Sequence, residues 1–173
     1  MRIFTLLLWL VLLSACRDST GPTPTPAGSL EATLSGSISE TFLAAGAEPP
    51  PTREPVTFAS ARPGVRAGTL GVMGFRARRR AQDAIVLDLR DVAGPGLYSA
   101  GGVLNYGIVD RDFLSGRVFY IEAQVQVTVL SSERVQGTFE GVAVMLPAPL
   151  SIRADSVRIT DGRFDVPIVR SRS

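Results

Sequence analysis

The sequence predicts an all-β protein, a single antiparallel β-sandwich or barrel of about eight to nine strands. Three observations carry this prediction. Apolar residues recur with a period of two in several segments, most clearly over 30–42, 117–130 and 135–146, as strands with one buried face require. No long stretch shows the 3.6-residue period of an amphipathic helix. Seventeen glycines and twelve prolines cut the chain into short runs, and without helices to carry parallel crossovers those runs must pair antiparallel.

The alternation begins at Leu30. Leu30, Ala32, Leu34, Gly36, Ile38 and Phe42 share one parity, and Glu31, Thr33, Ser35, Ser37, Ser39 and Thr41 the other, which reads as one long strand. Glu40 interrupts the apolar face near the strand end, where it can reach solvent. Residues 44–55 hold Pro49-Pro50-Pro51 and Pro55 and read as an exposed loop, because neither a helix nor a central strand accepts them. A short strand over 56–61 ends at Arg62-Pro63-Gly64. Residues 69–77 form the next strand, with Gly71 and Gly74 signalling a bulge or close backbone packing, and Arg78-Arg79-Arg80 closes it. Ile85, Leu87 and Leu89 alternate with Val86, Asp88 and Arg90 ahead of the turn Ala93-Gly94-Pro95-Gly96. Short runs over 97–98 and 103–109 flank Gly101-Gly102, and 110–116 makes a turn.

The strongest pair follows. In 117–130 the apolar positions are Phe119, Ile121, Ala123, Val125, Val127 and Val129, and in 135–146 they include Val135, Phe139, Ala143 and Met145. Facing residues in an antiparallel pair share a side, so odd positions must meet odd positions. A connection leaving an odd number of unpaired residues satisfies this and sets Val127 opposite Phe139, with Gly137 and Gly141 flanking the ring. After the break at Pro147 and Pro149, two short strands over 156–160 and 163–168 are joined by Asp161-Gly162, a type I′ hairpin signal. The hairpin would pair Ile159 with Phe164, Val157 with Val166, and Arg158 with Asp165. Pro167 marks an edge or final strand.

Ahead of the β pattern stand one positive charge, Arg2, an apolar run over 3–13, and the sequence Leu13-Ser14-Ala15-Cys16. The layout is that of an export signal, and the run falls short of the roughly 20 residues a spanning helix needs. Those last four residues resemble the bacterial lipobox: a leucine, two small residues and a cysteine. The resemblance implies cleavage before Cys16, a diacylglyceryl group on its sulfur, and attachment by acyl chains, each buried methylene contributing about 0.8 kcal/mol. Arg17, where an aspartate would favour the inner membrane, implies sorting to the outer membrane of a diderm cell. The expected organisation is therefore a signal peptide over 1–15, a lipidated cysteine and Pro/Thr tether over 16–29, and a β domain over 30–173. The tether, with Pro22, Pro24 and Pro26 alternating, would reach roughly 40 Å at about 3.1 Å per residue.

Three further patterns, Gly96-Leu97-Tyr98, Val135-Gln136-Gly137-Thr138-Phe139 and Gly162-Arg163-Phe164, resemble those of small bacterial lipoproteins with one β domain. That resemblance carries no functional residues to this chain.

Composition narrows the chemistry. The chain has 18 basic and 16 acidic residues, so no charge-driven partner is implied. Every basic residue is arginine; histidine and lysine are absent. Catalytic triads, imidazole metal ligands, Schiff bases and phosphate-binding lysines are thereby excluded. The single cysteine, Cys16, is the lipid site that the lipobox resemblance implies, and no other cysteine is present to supply disulfides or thiolate chemistry in the domain. No cofactor or metal is implied.

Arg76, Arg78, Arg79 and Arg80 form the one charge cluster and are the candidate anion-binding residues, suited to phosphate-bearing lipid headgroups; a solvated strand-to-strand loop partly neutralised by Asp83 is the simpler explanation of the same residues. The envelope location argues against nucleic acid. Asp110-Arg111-Asp112 begins like a calcium loop, but Leu114 and Ser115 stand where a ligand and a glycine are needed. Glu122 and Glu140, outward on the strong pair, are the candidate acid–base couple; glycoside hydrolysis asks for carboxyl groups about 5 to 9.5 Å apart in a cleft. The expectation is a lipid-anchored, non-catalytic β domain of the bacterial envelope. It would bind or support structure, with the membrane, envelope proteins or anionic lipid headgroups as partners. An apolar-ligand carrier with a barrel cavity and a carboxylate glycosidase are the alternatives.

Overall fold

The computed structural model describes residues 27–49, 56–79, 81–109, 116–145 and 155–170. The signal segment, Cys16, the tether up to Pro26, Arg80, the triplet Asp110-Arg111-Asp112 and Pro147 to Pro149 lie outside the described residues. Nine strands make one antiparallel sheet: β1 (Gly28–Gly36), β2 (Glu40–Gly46), β3 (Phe58–Pro63), β4 (Leu70–Ala77), β5 (Ala81–Leu89), β6 (Gly96–Val109), β7 (Arg117–Leu130), β8 (Arg134–Val144) and β9 (Ser156–Pro167). There is no helix among the described residues.

The sheet order is β2-β1-β9-β8-β7-β6-β5-β4-β3, and the sheet rolls up into a nearly closed barrel, so the choice between sandwich and barrel falls to the barrel. All neighbours are consecutive in the chain except β1 and β9. Near the gap, Ala61 of β3 bridges in parallel to Ile168, one residue past β9, and the Val169 N–H donates to the Ala61 carbonyl at 2.8 Å.

The period-two residues fill the interior. Leu30, Leu34, Phe42, Ile85, Leu87, Leu89, Phe119, Val125 and Ile159 are among the side chains wholly removed from water, each contributing about 1.5–3 kcal/mol by burial. Val135, Phe139, Phe164 and Val166 belong to the same core.

Several sequence expectations require correction. The segment read as one strand over 30–42 is a hairpin, β1–β2, with Leu34 opposite Glu40 and Ile38 buried in the turn. An odd number of residues, 35–39, lies between that last pair; alternation therefore continues in phase through the turn and hides it. β1 begins at Gly28, inside the segment read as tether, and β2 takes in Ala44 to Gly46, read as loop. β6 runs without interruption through Gly101-Gly102.

The β7–β8 pair obeys the parity rule by a different device. Leu130 faces Val135, which leaves the even set 131–134 unpaired, and a bulge between Val127 and Val129 restores odd-to-odd pairing. Val127 thus faces Gly137, and Val125 faces Phe139. The bulge turns Val129 outward, where it is exposed.

Asp161-Gly162 is not a hairpin. Asp161 takes a left-handed conformation, φ 53°, and adds one residue to a continuous β9, shifting its register against both β1 and β8. A short polar side chain tolerates this conformation, and the resulting bulge bends the strand as barrel curvature demands. Ile159 accordingly faces Gly141 and Leu34, and Phe164 faces Gly137 and Leu30.

The glycine-aromatic patterns have a packing explanation. Gly137 is paired with Phe164 and Gly162 with Phe139. A Cβ at Gly137 would lie 2.6 Å from the Phe164 ring, and one at Gly162 would lie 2.7 Å from the Phe139 ring. Each ring covers the glycine opposite. In the third pattern, the Tyr98 hydroxyl donates to the Gly94 carbonyl at 2.7 Å and pins the turn ahead of β6.

At the outer surface of β8–β9, the Arg134 guanidinium donates to Asp165. This hydrogen bond holds the Asp165 carboxyl below its ordinary value; partial burial opposes it, while the Arg134 charge and Gln136 add to it. A carboxylate lowered on folding stabilises the fold above its unfolded value, near 3.9, and that contribution disappears as pH falls through the folded value. Both side chains are partly exposed, so Arg134→Ala is expected to cost only about 0.2–1 kcal/mol at neutral pH. In urea melts the wild-type and variant midpoints should converge below the ordinary aspartate range.

Candidate functional site

The arginine cluster divides into residues held by carboxylates and a residue left exposed. Arg76, at the end of β4, donates to Asp83 Oδ2 through Nε at 3.1 Å and Nη2 at 2.7 Å, and to the Thr41 carbonyl through Nη1 at 3.0 Å. Its Nη2 also meets Glu40. Arg78 donates from Nη2 to both Glu40 oxygens at 2.9 Å and from Nε to Asp83 Oδ2. Asp83 is 0% exposed, and its other oxygen accepts the Gly107 N–H at 2.9 Å.

Register explains the meeting: Arg76 and Asp83 are direct partners across β4 and β5, and Glu40 begins β2, which the rolled sheet brings alongside. Phe42 and Tyr106 rings lie 4.9 and 4.6 Å from the Arg76 and Arg78 guanidinium carbons. Burial acts to lower the Arg78 value, but hydrogen bonds and charge from Asp83 and Glu40 outweigh it and hold the group above the ordinary arginine value. The network ties the β2 edge to β4 and β5 where no backbone ladder joins them.

This placement bears on anion binding. Arg76 and Arg78 are engaged by carboxylates, so an anion would have to displace Glu40 or Asp83. Arg79 is exposed at the β4–β5 turn, and Arg80 lies outside the described residues. Asp83 acts as the sequence suggested, neutralising part of the cluster, but it does so from the interior. Glu40 reaches arginine rather than open solvent.

A second region lies on the outer wall. An open groove of about 940 Å³ crosses β5 to β9. Its charged lining is Asp88, Arg90, Glu122, Glu140 and Arg158. Cross-strand pairing aligns Asp88, Gly101, Glu122, Val142 and Arg158 in one row. In the next row Ser99 faces Gln124, and Gln124 faces Glu140; the Gln124 amide donates to Ser99 Oγ at 3.2 Å.

Glu122 and Glu140, the suggested acid–base couple, are brought into this one groove. They sit diagonally across β7 and β8, an arrangement with Cα atoms roughly 7–8 Å apart. Their spacing suits a carboxylate pair, but both are exposed to water on an open wall. Asp88, Arg90 and Arg158 were missed as site residues. Asp88 and Arg158 sit at polar positions of β5 and β9, and Arg90 directly follows β5; only the register shows that Asp88 and Arg158 share a row with Glu122.

The core side chains pack into the barrel interior as one cluster, and three surface concavities among the described residues are open to solvent. No group of three metal-ligating side chains occurs among the described residues, and no helix there is long and apolar enough to cross a membrane. Comparison with protein-family models, with curated proteins and with solved structures finds no match to this chain.

Proposed function

We propose that this chain is a lipid-anchored module of the bacterial cell envelope that works by binding at the outer wall of its barrel. The observation that carries the reading is the contrast between the two sides of the sheet: an apolar, packed interior and an outer groove in which charged side chains stand without ion-pair partners among the described residues. The lipobox-like Leu13-Ser14-Ala15-Cys16 supports the anchor. The absence of histidine, lysine and a second cysteine from the sequence supports binding over catalysis, since carboxylates, hydroxyls and arginine are the groups left for acid–base work.

The anchor is tested by replacing Cys16 with Ser in the full chain and following the protein through membrane fractionation. Wild type is expected in the membrane fraction, extractable by detergent, and the variant in the soluble fraction. Membrane retention of the variant at wild-type level would overturn the anchoring reading.

A further inference from the structure

The groove across β5 to β9 carries charge of both signs. Asp88 and Glu122 face one another across Gly101, two strand spacings or about 9.5 Å apart. Nothing stands between them: a Cβ built on Gly101 would have no neighbour within 4 Å. Glu140 adds a third carboxylate, and Arg90 and Arg158 stand at the two flanks. None of these five groups is in an ion pair with a described residue, whereas Arg62, Arg76, Arg78, Arg117, Arg134 and Arg163 all are.

The charge pattern selects the occupant. A simple anion would meet three carboxylates, and a metal ion would meet guanidinium groups at both ends of an open trough. An apolar ligand would strip water from five charges without replacing their hydrogen bonds. A neutral polyhydroxyl chain meets none of these penalties. Each hydroxyl both donates and accepts, so carboxylates and guanidinium groups can bind neighbouring hydroxyls with charge-assisted hydrogen bonds. Gln124, Ser99 and Thr160 on the same wall supply further donors and acceptors.

Two more features fit this chemistry. Tyr120 lies two residues before Glu122 on the same outer face and is 53% exposed, offering an aromatic surface for the C–H face of a sugar ring. The trough crosses five strands, roughly 19 Å measured along the sheet, an elongated path suited to an extended β-linked chain.

We propose that this groove binds a neutral β-linked oligosaccharide of hexose or N-acetylhexosamine units. The proposal rests on the binding-module reading above and names its ligand class.

The test applies the detergent-solubilised full chain to immobilised chitotetraose and cellotetraose. At least one is expected to retain the protein saturably. Gly101→Trp, which fills the open floor, should weaken retention at least tenfold while the melting temperature stays within a few degrees of wild type. Tyr120→Ala should weaken it as well. Failure of both sugars to retain the chain, or retention unchanged in both variants, would overturn the proposal. Neither outcome alters the Cys16 fractionation result, so loss of the sugar site and loss of the anchor are separately readable.

Discussion

Gly102→Ala is expected to destabilise the barrel severely, while Gly101→Ala, one residue earlier, is tolerated. The two glycines lie side by side in β6 and look equivalent in sequence. A Cβ at Gly102 would lie 2.0 Å from the Val86 carbonyl oxygen, 3.0 Å from its carbon and 3.2 Å from the Leu87 Cα. All three are backbone atoms of β5, paired with β6 in the ladder, so relief requires the strands to part. The expected cost is about 3 kcal/mol, at the upper end for overpacking, or roughly 6–12 °C in melting temperature for a domain of this size. Gly101 has open space above it, and alanine there should gain about 0.5–1 kcal/mol from reduced backbone entropy. Thermal melts followed by circular dichroism check both; equal melting temperatures for the two variants would contradict the close approach.

Asp83→Ala should be the second large loss. The substitution removes the buried acceptor of Arg76, Arg78 and the Gly107 N–H together. Breaking a buried ion pair from one side costs about 3–5 kcal/mol; because both arginines retain Glu40 and reach solvent, a loss of about 2–3 kcal/mol is expected. Chemical denaturation of the full chain measures it. Asp83→Asn should fall between wild type and Asp83→Ala, since its amide oxygen can still accept from Gly107. A loss under about 0.5 kcal/mol, the range of an ordinary surface substitution, would contradict the structural role of Asp83.

The strand content is legible in the sequence because burial imposes a period of two, and the alternation over 117–130 matches the bounds of β7. What the alternation does not reveal are the places where the chain changes register. An αL-tolerant pair such as Asp161-Gly162 signals a positive φ, and both a hairpin and a bulge use one; long-range pairing with β1 and β8 decides between them. The turn between β1 and β2 is hidden for the opposite reason, since its odd length keeps the alternation in phase. For the site, Glu122 and Glu140 can be picked out as outward carboxylates, and Asp83 as a neighbour of the arginines. Asp88 and Arg158 acquire their relation to Glu122 only through four successive strand pairings, which no local pattern contains.

The pairing of β1 with β9 sets the order in which the barrel can be made. Strands β3 to β8 form a meander whose neighbours follow one another in the chain, so each can zip onto the last across a short connection. The β1–β2 hairpin cannot join that sheet directly. Its attachment is β9, where Ser29 meets Asp165, contacts between nearly opposite ends of the chain. Such distant pairing is slow to find, because loop closure is charged in full before any contact repays it. Two partial sheets must therefore wait for the final strand, and its arrival between β1 and β8 is the event that converts a hairpin and a meander into one barrel.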